Sequence, residues 1–291
     1  ILFVAGAGLR WAARRLDLAP TAALVAAVVY QLSPYVLAYV SRTSVLLLPW
    51  AALGWMVGLT QGAATRTRWR DAGLFALLVA TVGGINATAL LMIAPAPLLW
   101  LADAAARGTI TWRRAGRTAA TLGGLSLGVS LWWMAALAIQ ANYGAAALSF
   151  SETLEAVSST AVASEVLRGL GYWLFYVGDP VTAATTASRA YQESAALIAV
   201  GFALVLAGMT GLVVARWAHR RFAALCLLAG VVLAVGAYPI DDPSPLGSAL
   251  AGSSTSTLVL ALRSSTRAAP LVVFALALGA GALVTALDGV R

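Results

Sequence analysis

The sequence predicts an all-α protein, a polytopic transmembrane helical bundle, and three observations lead to this prediction. Of the 291 residues, 61% are hydrophobic and only 10% are charged, whereas soluble domains average about 45–50% apolar and about 25% charged residues. The mean hydropathy is +0.87. Several uncharged stretches, among them 118–151, 195–215 and 268–287, reach the roughly 20 residues that cross a bilayer.

The stretches between polar clusters place the helices along the chain. Residues 1–9 are typical of the end of a first span. The later full spans are expected at about 18–31, 45–62, 118–140, 195–215, 222–237 and 268–287. The 33 residues of 71–103 are short for two full crossings. We therefore expect two thin or tilted spans that meet at 83–86, with Pro95 and Pro97 bending the second.

The basic residues predict the orientation in the membrane. All 19 are arginine. Most fall into clusters between the predicted spans, at 10–15, 66–70, 107–117 and 216–221. Membrane proteins keep such clusters in the cytoplasm, so we expect a multi-pass plasma-membrane protein with outer loops at 141–193 and 238–267. Seven of the 11 acids but only five of the 19 arginines then lie outside, which predicts an extracytoplasmic active face.

The residue types exclude several kinds of chemistry. His219 is the only histidine and lies in a predicted inner turn, which argues against a Ser-His-Asp triad and a His-ligated zinc. The absence of Lys excludes Schiff-base chemistry and a P-loop in this segment. Orientation explains the net charge of +8, so we expect no nucleic-acid partner; membrane lipid, or an acidic protein at the cytoplasmic Arg clusters, fits better. Carboxylates are therefore the remaining candidates for proton transfer.

Two glutamates of the first outer loop are candidates for that role. Phe150, Leu154 and Val157 have the spacing i, i+4, i+7, which predicts an amphipathic helix on the bilayer surface. Glu152 and Glu155 are three apart and share another face, so one of them would face a site at the membrane boundary as a general base. Alternatively, a Ser-x-x-Glu capping box ends at Glu152 and both glutamates are ordinary surface residues.

Other outer residues are candidate substrate contacts. Arg42 follows an aromatic run that includes Tyr35; it would clamp a lipid phosphate or only snorkel beside an aromatic belt. Tyr172 and Trp173 belong to an aromatic patch that ends at Asp179. These rings would stack on a sugar or anchor the loop at the interface.

A pair of acids in the second outer loop is compatible with binding of a divalent cation. Asp241-Asp242-Pro243 has the residue types of a metal-binding or acid pair, but Asp-Pro is also common in turns. The sequence therefore assigns no metal ligand and no certain cofactor.

Three stretches carry a resemblance to a known family. They are Tyr-Gln-Leu-Ser-Pro-Tyr at 30–35, Ser-Phe-Ser-Glu-Thr at 149–153 and Gly-Tyr-Trp-Leu-Phe-Tyr-Val-Gly-Asp-Pro at 171–180. Together with the inner Arg turns, short paired spans and long acidic loop, they resemble the N-terminal membrane region of the AftD family of actinobacterial α-(1→3)-arabinofuranosyltransferases, which are GT-C type glycosyltransferases.

The resemblance implies a reaction and roles for named residues. Such enzymes move arabinofuranose, with inversion, from decaprenyl-phosphoryl arabinose to the arabinan of arabinogalactan or lipoarabinomannan. The polyprenyl-phosphate sugar donor is a substrate, and the arabinan is the acceptor. Glu152, and more weakly Glu155, would be the base, and Arg42 would hold the leaving phosphate.

The resemblance also sets an expectation for domain organisation. Residues 1–291 would be a single GT-C-like membrane region, with upstream spans and a large C-terminal part lying outside it, so we expect this segment alone to be inactive. Two other classes stay open, a membrane transporter or lipid flippase and a noncatalytic scaffold. A coupled transporter places ionisable residues near mid-bilayer; the predicted spans contain none, which disfavours ion coupling.

Overall fold

A computed structural model shows the chain as a bundle of α-helices. It describes residues 1–40, 43–66, 68–144, 152–178, 185, 187–245, 247–248 and 262–288. The helices described are α1 (Leu2–Arg15), α2 (Pro20–Gln31), α3 (Tyr35–Val40), α4 (Leu47–Arg66), α5 (Trp69–Gly83), α6 (Ala87–Ile93), α7 (Pro95–Ala106), α8 (Trp112–Tyr143), α9 (Leu154–Ser159), α10 (Ala163–Leu167), α11 (Ala187–Glu193), α12 (Ala195–Val214), α13 (Arg220–Val235) and α14 (Ala269–Asp288). Three short 3-10 segments join them at Ser44–Leu46, Trp173–Phe175 and Ser265–Ala268. The all-α prediction is confirmed.

Five of the described helical segments are long and apolar enough to cross a membrane. They are Ser44–Arg66, Ala87–Ala106, Trp112–Tyr143, Ala195–Val214 and Ser265–Leu287, and the shorter α2 is apolar as well. Each of these five segments overlaps a predicted span, which agrees with a membrane protein. The full spans predicted at 18–31 and 222–237 correspond to the shorter helices α2 and α13, of 12 and 16 residues.

The predicted pair of short spans at 71–103 is present as α5 followed by α6 and α7. The side chain of Asn86 caps α6 by accepting a hydrogen bond from the N–H of Ala89 at 2.8 Å. Pro95 occupies the first position of α7, where a backbone N–H would have no partner within the helix. The second span is therefore interrupted at the prolines, as the sequence predicts.

Helix α14 lies at the centre of the bundle. It packs against α2, α12 and α13, and its side chains from Ala269 to Leu278 are at most 7% exposed. Glycines allow the close approach of α12. A Cβ on Gly208 would lie 2.7 Å from the carbonyl oxygen of Leu276, and one on Gly211 would collide with the carbonyl oxygen of Gly279. Backbone-to-backbone van der Waals packing thus holds α12 on α14.

One end of the bundle, here called the Arg-rich end, contains the Arg clusters. The guanidinium of Arg15 donates to the carbonyl oxygen of Gly58 at 2.8 Å and lies 3.7 Å from a carboxylate oxygen of Asp71. This arginine therefore joins α1 to α4 and α5.

A second cluster joins other turns at the same end. Arg107 donates to Asp103 at 2.8 Å and to Nδ1 of His219 at 3.0 Å. Because a guanidinium can only donate, Nδ1 accepts, and the proton of the neutral ring lies on Nε2. Burial, reinforced by the charge of Arg107, lowers the pKa of His219 although Asp17 opposes the shift. The ring is therefore neutral at physiological pH, as this hydrogen bond requires.

The opposite end, here called the loop end, carries residues 152–178 and 236–268, as far as they are described. The hydroxyl of Tyr30 donates to the carbonyl oxygen of Trp50 at 2.7 Å, which joins α2 to α4. The hydroxyl of Ser265 donates to the carbonyl oxygen of Ala234 at 2.9 Å, which joins the segment before α14 to α13. The polar loops therefore rest on helix ends that are fixed to one another.

We expect Gly211→Leu to destabilise the bundle, because the new side chain would force α12 and α14 apart. Overpacking of this kind costs about 1–3 kcal/mol, and a thermal unfolding midpoint in detergent would fall accordingly. Gly124→Leu on α8 is the matched control, since a Cβ there has nothing within 4 Å. Equal unfolding midpoints for the two variants would contradict this account of the packing.

Candidate functional site

A single carboxylate at the loop end receives three donors. The indole Nε1 of Trp173 donates to Oε2 of Glu152 at 2.6 Å. The hydroxyl of Ser264 donates to Oε1, and Nη2 of Arg267 lies 3.3 Å from the same oxygen. The side chain of Glu152 is 12% exposed. Its oxygens are thus held in a fixed orientation close to solvent.

Two of these donors come from a buried polar segment at 263–267. Ser264 and Thr266 are 4% and 1% exposed, and the hydroxyl of Ser265 is used by α13. Burying polar groups is costly unless they are paired. Nε of Arg267 finds no hydrogen-bond partner among the described residues. This segment therefore offers a guanidinium N–H to a ligand at the position of Glu152.

Aromatic rings form one wall beside the carboxylate. Tyr35 and Tyr39 of α3 lie 4.7 Å apart between ring centroids, and Tyr39 stacks on Tyr172 at 4.4 Å with planes 18° apart. Trp173 follows at 6.3 Å, edge to face with Tyr172. We call these four residues the aromatic row. Burial and the neighbouring charge of Glu152 raise the pKa of Tyr172, so its hydroxyl stays protonated and able to donate.

The loop that presents Trp173 is held by an ion pair whose arginine is buried. Arg168, 5% exposed, donates to Glu165 at 2.7 Å. The hydroxyl of Tyr176 donates to the other oxygen of Glu165 at 2.6 Å and accepts the N–H of Gly171 at 3.2 Å. Gly171 has a φ of +94°, which a side chain would disfavour. The turn before Trp173 is therefore fixed by both its backbone and its polar network.

The structure brings together four of the residues expected from sequence: Glu152, Tyr35, Tyr172 and Trp173. Glu155 does not join them; it is exposed in the first turn of α9. Glu152 is not helical, because Thr153 caps α9 by accepting the N–H of Ala156 at 3.1 Å. The expected shared helix face for both glutamates is therefore wrong, since α9 begins only at Leu154.

Two other candidates, Arg42 and Asp179, lie outside the described residues, as does Phe150 of the expected apolar stripe. In the second loop, Asp241 and Asp242 are exposed. Within the described ranges, no three or more His, Cys, Asp or Glu side chains converge to hold a metal ion.

Sequence reasoning missed Ser264, Arg267 and Tyr39. The first two lie 112 and 115 residues from Glu152 along the chain, so no local spacing connects them to it. One signal was available: the run Arg-Ser-Ser-Thr-Arg at 263–267 stands directly before one of the two most buried spans, where a polar run must find partners.

An apolar groove opens next to this site. It has a volume of about 520 Å³ and is lined by α5, α6, α7 and α8. Leu90, Leu98, Leu122 and Trp133 are among its walls, and Leu262, two residues before Ser264, also lines it. The groove thus extends from the apolar faces of the helices to Leu262, which lies just before the polar segment at 263–267.

The chain resembles one family of known proteins over almost its whole length. Residues 1–290 match the model of the family described as alpha-(1->3)-arabinofuranosyltransferase, N-terminal GT-C domain. An alpha-(1->3)-arabinofuranosyltransferase of Mycobacterium tuberculosis (strain ATCC 25618 / H37Rv) is 32% identical over 240 residues, which is 77% of this chain and 16% of that protein.

A second relative points to the same family. The alpha-(1->3)-arabinofuranosyltransferase of Mycolicibacterium smegmatis (strain ATCC 700084 / mc(2)155) is 28% identical over 271 residues, 88% of this chain and 18% of that protein. The chain therefore spans less than a fifth of the length of these curated relatives. No solved structure matches the chain.

We expect Tyr176→Phe to loosen the loop before Trp173, because Glu165 loses a donor and the N–H of Gly171 loses its acceptor. A hydrogen bond contributes about 1 kcal/mol, so the amide hydrogen of Gly171 should exchange about fivefold faster. Tyr143→Phe is the control, since Tyr143 is 89% exposed. Unchanged protection at Gly171 in the Tyr176 variant would show that the network does not hold the turn.

Proposed function

This chain belongs to the family of N-terminal GT-C domains of alpha-(1->3)-arabinofuranosyltransferases, and from that membership we propose that it forms the membrane part of a transferase that moves arabinofuranose from a polyprenyl phosphate to an arabinan. The observation that carries the proposal is the single carboxylate, Glu152, held between Trp173, Ser264 and Arg267 at the loop end.

Glu152 is the general base of the proposed reaction. One of its oxygens takes the proton from an acceptor hydroxyl while that hydroxyl oxygen attacks C1 of the arabinofuranose. The bond from C1 to the phosphate oxygen breaks, the polyprenyl phosphate leaves with the electron pair, and the configuration at C1 inverts. The donors from Trp173 and Ser264 hold the carboxylate in place, so orientation is established before substrate arrives.

Arg267 is our candidate for binding the leaving phosphate. Its Nη2 lies 3.3 Å from Glu152, while its Nε lacks a partner among the described residues. A guanidinium can bind a phosphate with two parallel hydrogen bonds and stabilises the charge that develops on the leaving oxygen. Arg42 remains a second candidate for the same role.

The aromatic row and the groove fit the two parts of such a donor. Tyr172 and Trp173 present rings on which a sugar face can stack, and Asp179 is a further candidate contact. The groove of about 520 Å³ that reaches Leu262 suits the hydrocarbon chain of a polyprenyl phosphate. A lipid-linked donor would then place its phosphate beside 263–267 and its chain among α5 to α8. The donor is a substrate, and no cofactor or divalent cation is required by this scheme.

The charge distribution supports an orientation with the loop end outside. The Arg-rich end would lie in the cytoplasm of a multi-pass plasma-membrane protein, and arabinan built at the loop end would join arabinogalactan or lipoarabinomannan. The exposed arginines of the 216–221 turn are a candidate surface for an acidic cytoplasmic protein.

We expect Glu152→Gln to lower transfer from a lipid-linked arabinose donor by about 10²–10⁴-fold, because the amide cannot accept the proton. The assay would follow arabinan elongation by the complete protein in detergent. Glu155→Gln is the matched control and should retain activity, since that side chain is exposed and outside the cluster. Full turnover by the Glu152 variant would remove it from the mechanism, and transport of donor across vesicles without a new glycosidic bond would contradict the transferase proposal itself.

We also expect Arg267→Gln to reduce kcat/KM for the lipid donor about 10–100-fold, because a hydrogen bond to a charged group contributes about 1.5–3 kcal/mol. The kcat/KM of Arg267→Lys should lie between the values for the unchanged protein and for Arg267→Gln, since lysine keeps the charge but lacks the planar guanidinium that makes two parallel hydrogen bonds. Arg42→Gln is tested in parallel, and Arg216→Gln at the Arg-rich end is the control. If only Arg42→Gln lowers kcat/KM, the phosphate is bound by Arg42 and our assignment of Arg267 is wrong.

A further inference from the structure

Four arginines converge on one pocket at the Arg-rich end, far from Glu152. The pocket has a volume of about 430 Å³ and lies where α5 and α8 begin. Arg68 lines it from the start of α5, and Arg113, Arg114 and Arg117 line it from the first turns of α8. The lining residues that the structure describes include no carboxylate. The pocket is therefore a concentrated site of positive charge.

Orientation in the membrane does not explain this convergence. The positive-inside rule requires arginines on one face of the bundle but places no demand on how they meet. Elsewhere at the same end, arginines lie beside acids: Arg15 is 3.7 Å from Asp71, and Arg107 is 2.8 Å from Asp103. Around the pocket, the like charges of Arg68, Arg113 and Arg117 are instead held near the positive ends of two helices, with no carboxylate among the described lining residues. An anion in the pocket would offset this repulsion.

The walls of the pocket identify which kind of anion fits. Ala72 and Leu122 give it an apolar side, and Leu122 also lines the apolar groove between α5 and α8. Trp69 lines the pocket and is 75% exposed, and Trp112, at the start of α8, is 64% exposed. Exposed tryptophans of this kind mark the boundary between headgroups and hydrocarbon. A ligand with an anionic head and an apolar tail matches both halves of the site.

We propose that this pocket binds the phosphate headgroup of an anionic membrane lipid. Arg68 and the arginines of α8 approach the phosphate from two sides with charge-assisted hydrogen bonds, and the lipid chains lie along the apolar side that continues past Leu122. The site fixes the start of α8 against α5. This inference does not depend on the proposed transferase reaction, because none of its residues lies at the loop end.

The test compares lipid retention by native mass spectrometry of the complete protein, purified with phosphatidylglycerol or with phosphatidylcholine. Removing two charges with the double variant Arg113→Gln, Arg117→Gln should lower retention of phosphatidylglycerol about thirtyfold, since each arginine near an anionic lipid surface contributes about 1 kcal/mol. Retention of phosphatidylcholine should not change. The matched control is Arg220→Gln, Arg221→Gln, which removes two exposed arginines from another turn at the same end and should retain phosphatidylglycerol normally.

Further measurements distinguish binding of a whole lipid from binding of a free phosphate or of an acidic protein. Phosphatidylglycerol, but not glycerol 3-phosphate at the same concentration, should raise the thermal unfolding midpoint of the unchanged protein. If the Gln variant fails to fold in phosphatidylcholine, Arg113→Lys, Arg117→Lys replaces it, and its retention of phosphatidylglycerol should be weakened because the bidentate contacts are lost. Three results would each overturn the proposal. The first is equal retention of phosphatidylglycerol by the pocket variant and the control, and the second is a rise in the unfolding midpoint with glycerol 3-phosphate alone. The third is an acidic soluble protein that binds the unchanged protein without displacing lipid but does not bind the pocket variant.

Discussion

The burial of the polar segment before α14 determines how the loop end is assembled. Because α14 lies at the centre of the bundle, the residues that lead into it are buried whether or not they are polar, and Ser264 and Thr266 are at most 4% exposed. Buried hydroxyls and guanidinium groups must be paired. Ser265 pairs with α13, while Ser264 and Arg267 pair with Glu152 from a loop more than 100 residues earlier. The need to pair these buried polar groups therefore also forms the candidate site.

The membrane bundle was predictable because lipid limits which structures can form. Helices are needed to satisfy the backbone in hydrocarbon, so apolar length alone located the spans, and the prolines located the break between α6 and α7. The candidate site was predictable only in part. The stretches at 30–35 and 171–180 directed attention to Tyr35, Tyr172 and Trp173, but the pairing of Glu152 with Arg267 depends on tertiary packing. The periodicity also gave the wrong start for α9, because the side chain of Thr153 caps this helix and leaves Glu152 outside it.

The two ends of the bundle hold different polar groups. Carboxylate, hydroxyl and aromatic groups form the candidate site at the loop end, whereas the arginine clusters lie at the Arg-rich end, in ion pairs or around the pocket at the start of α8. The apolar groove runs between these regions, and Leu122 belongs to both the groove and the basic pocket. Helices α5 and α8 therefore line both a basic pocket and an apolar groove.

The position of Glu152 links the order of its loop to its own protonation. Its carboxylate connects Trp173, on one side, to the segment before α14, on the other. A carboxylate that accepts a proton loses the charge that attracts Arg267 and gains a hydroxyl that must find an acceptor. Each turnover of the proposed reaction would therefore weaken, until the proton leaves, the ion pair that joins residues 152–178 to the segment before α14.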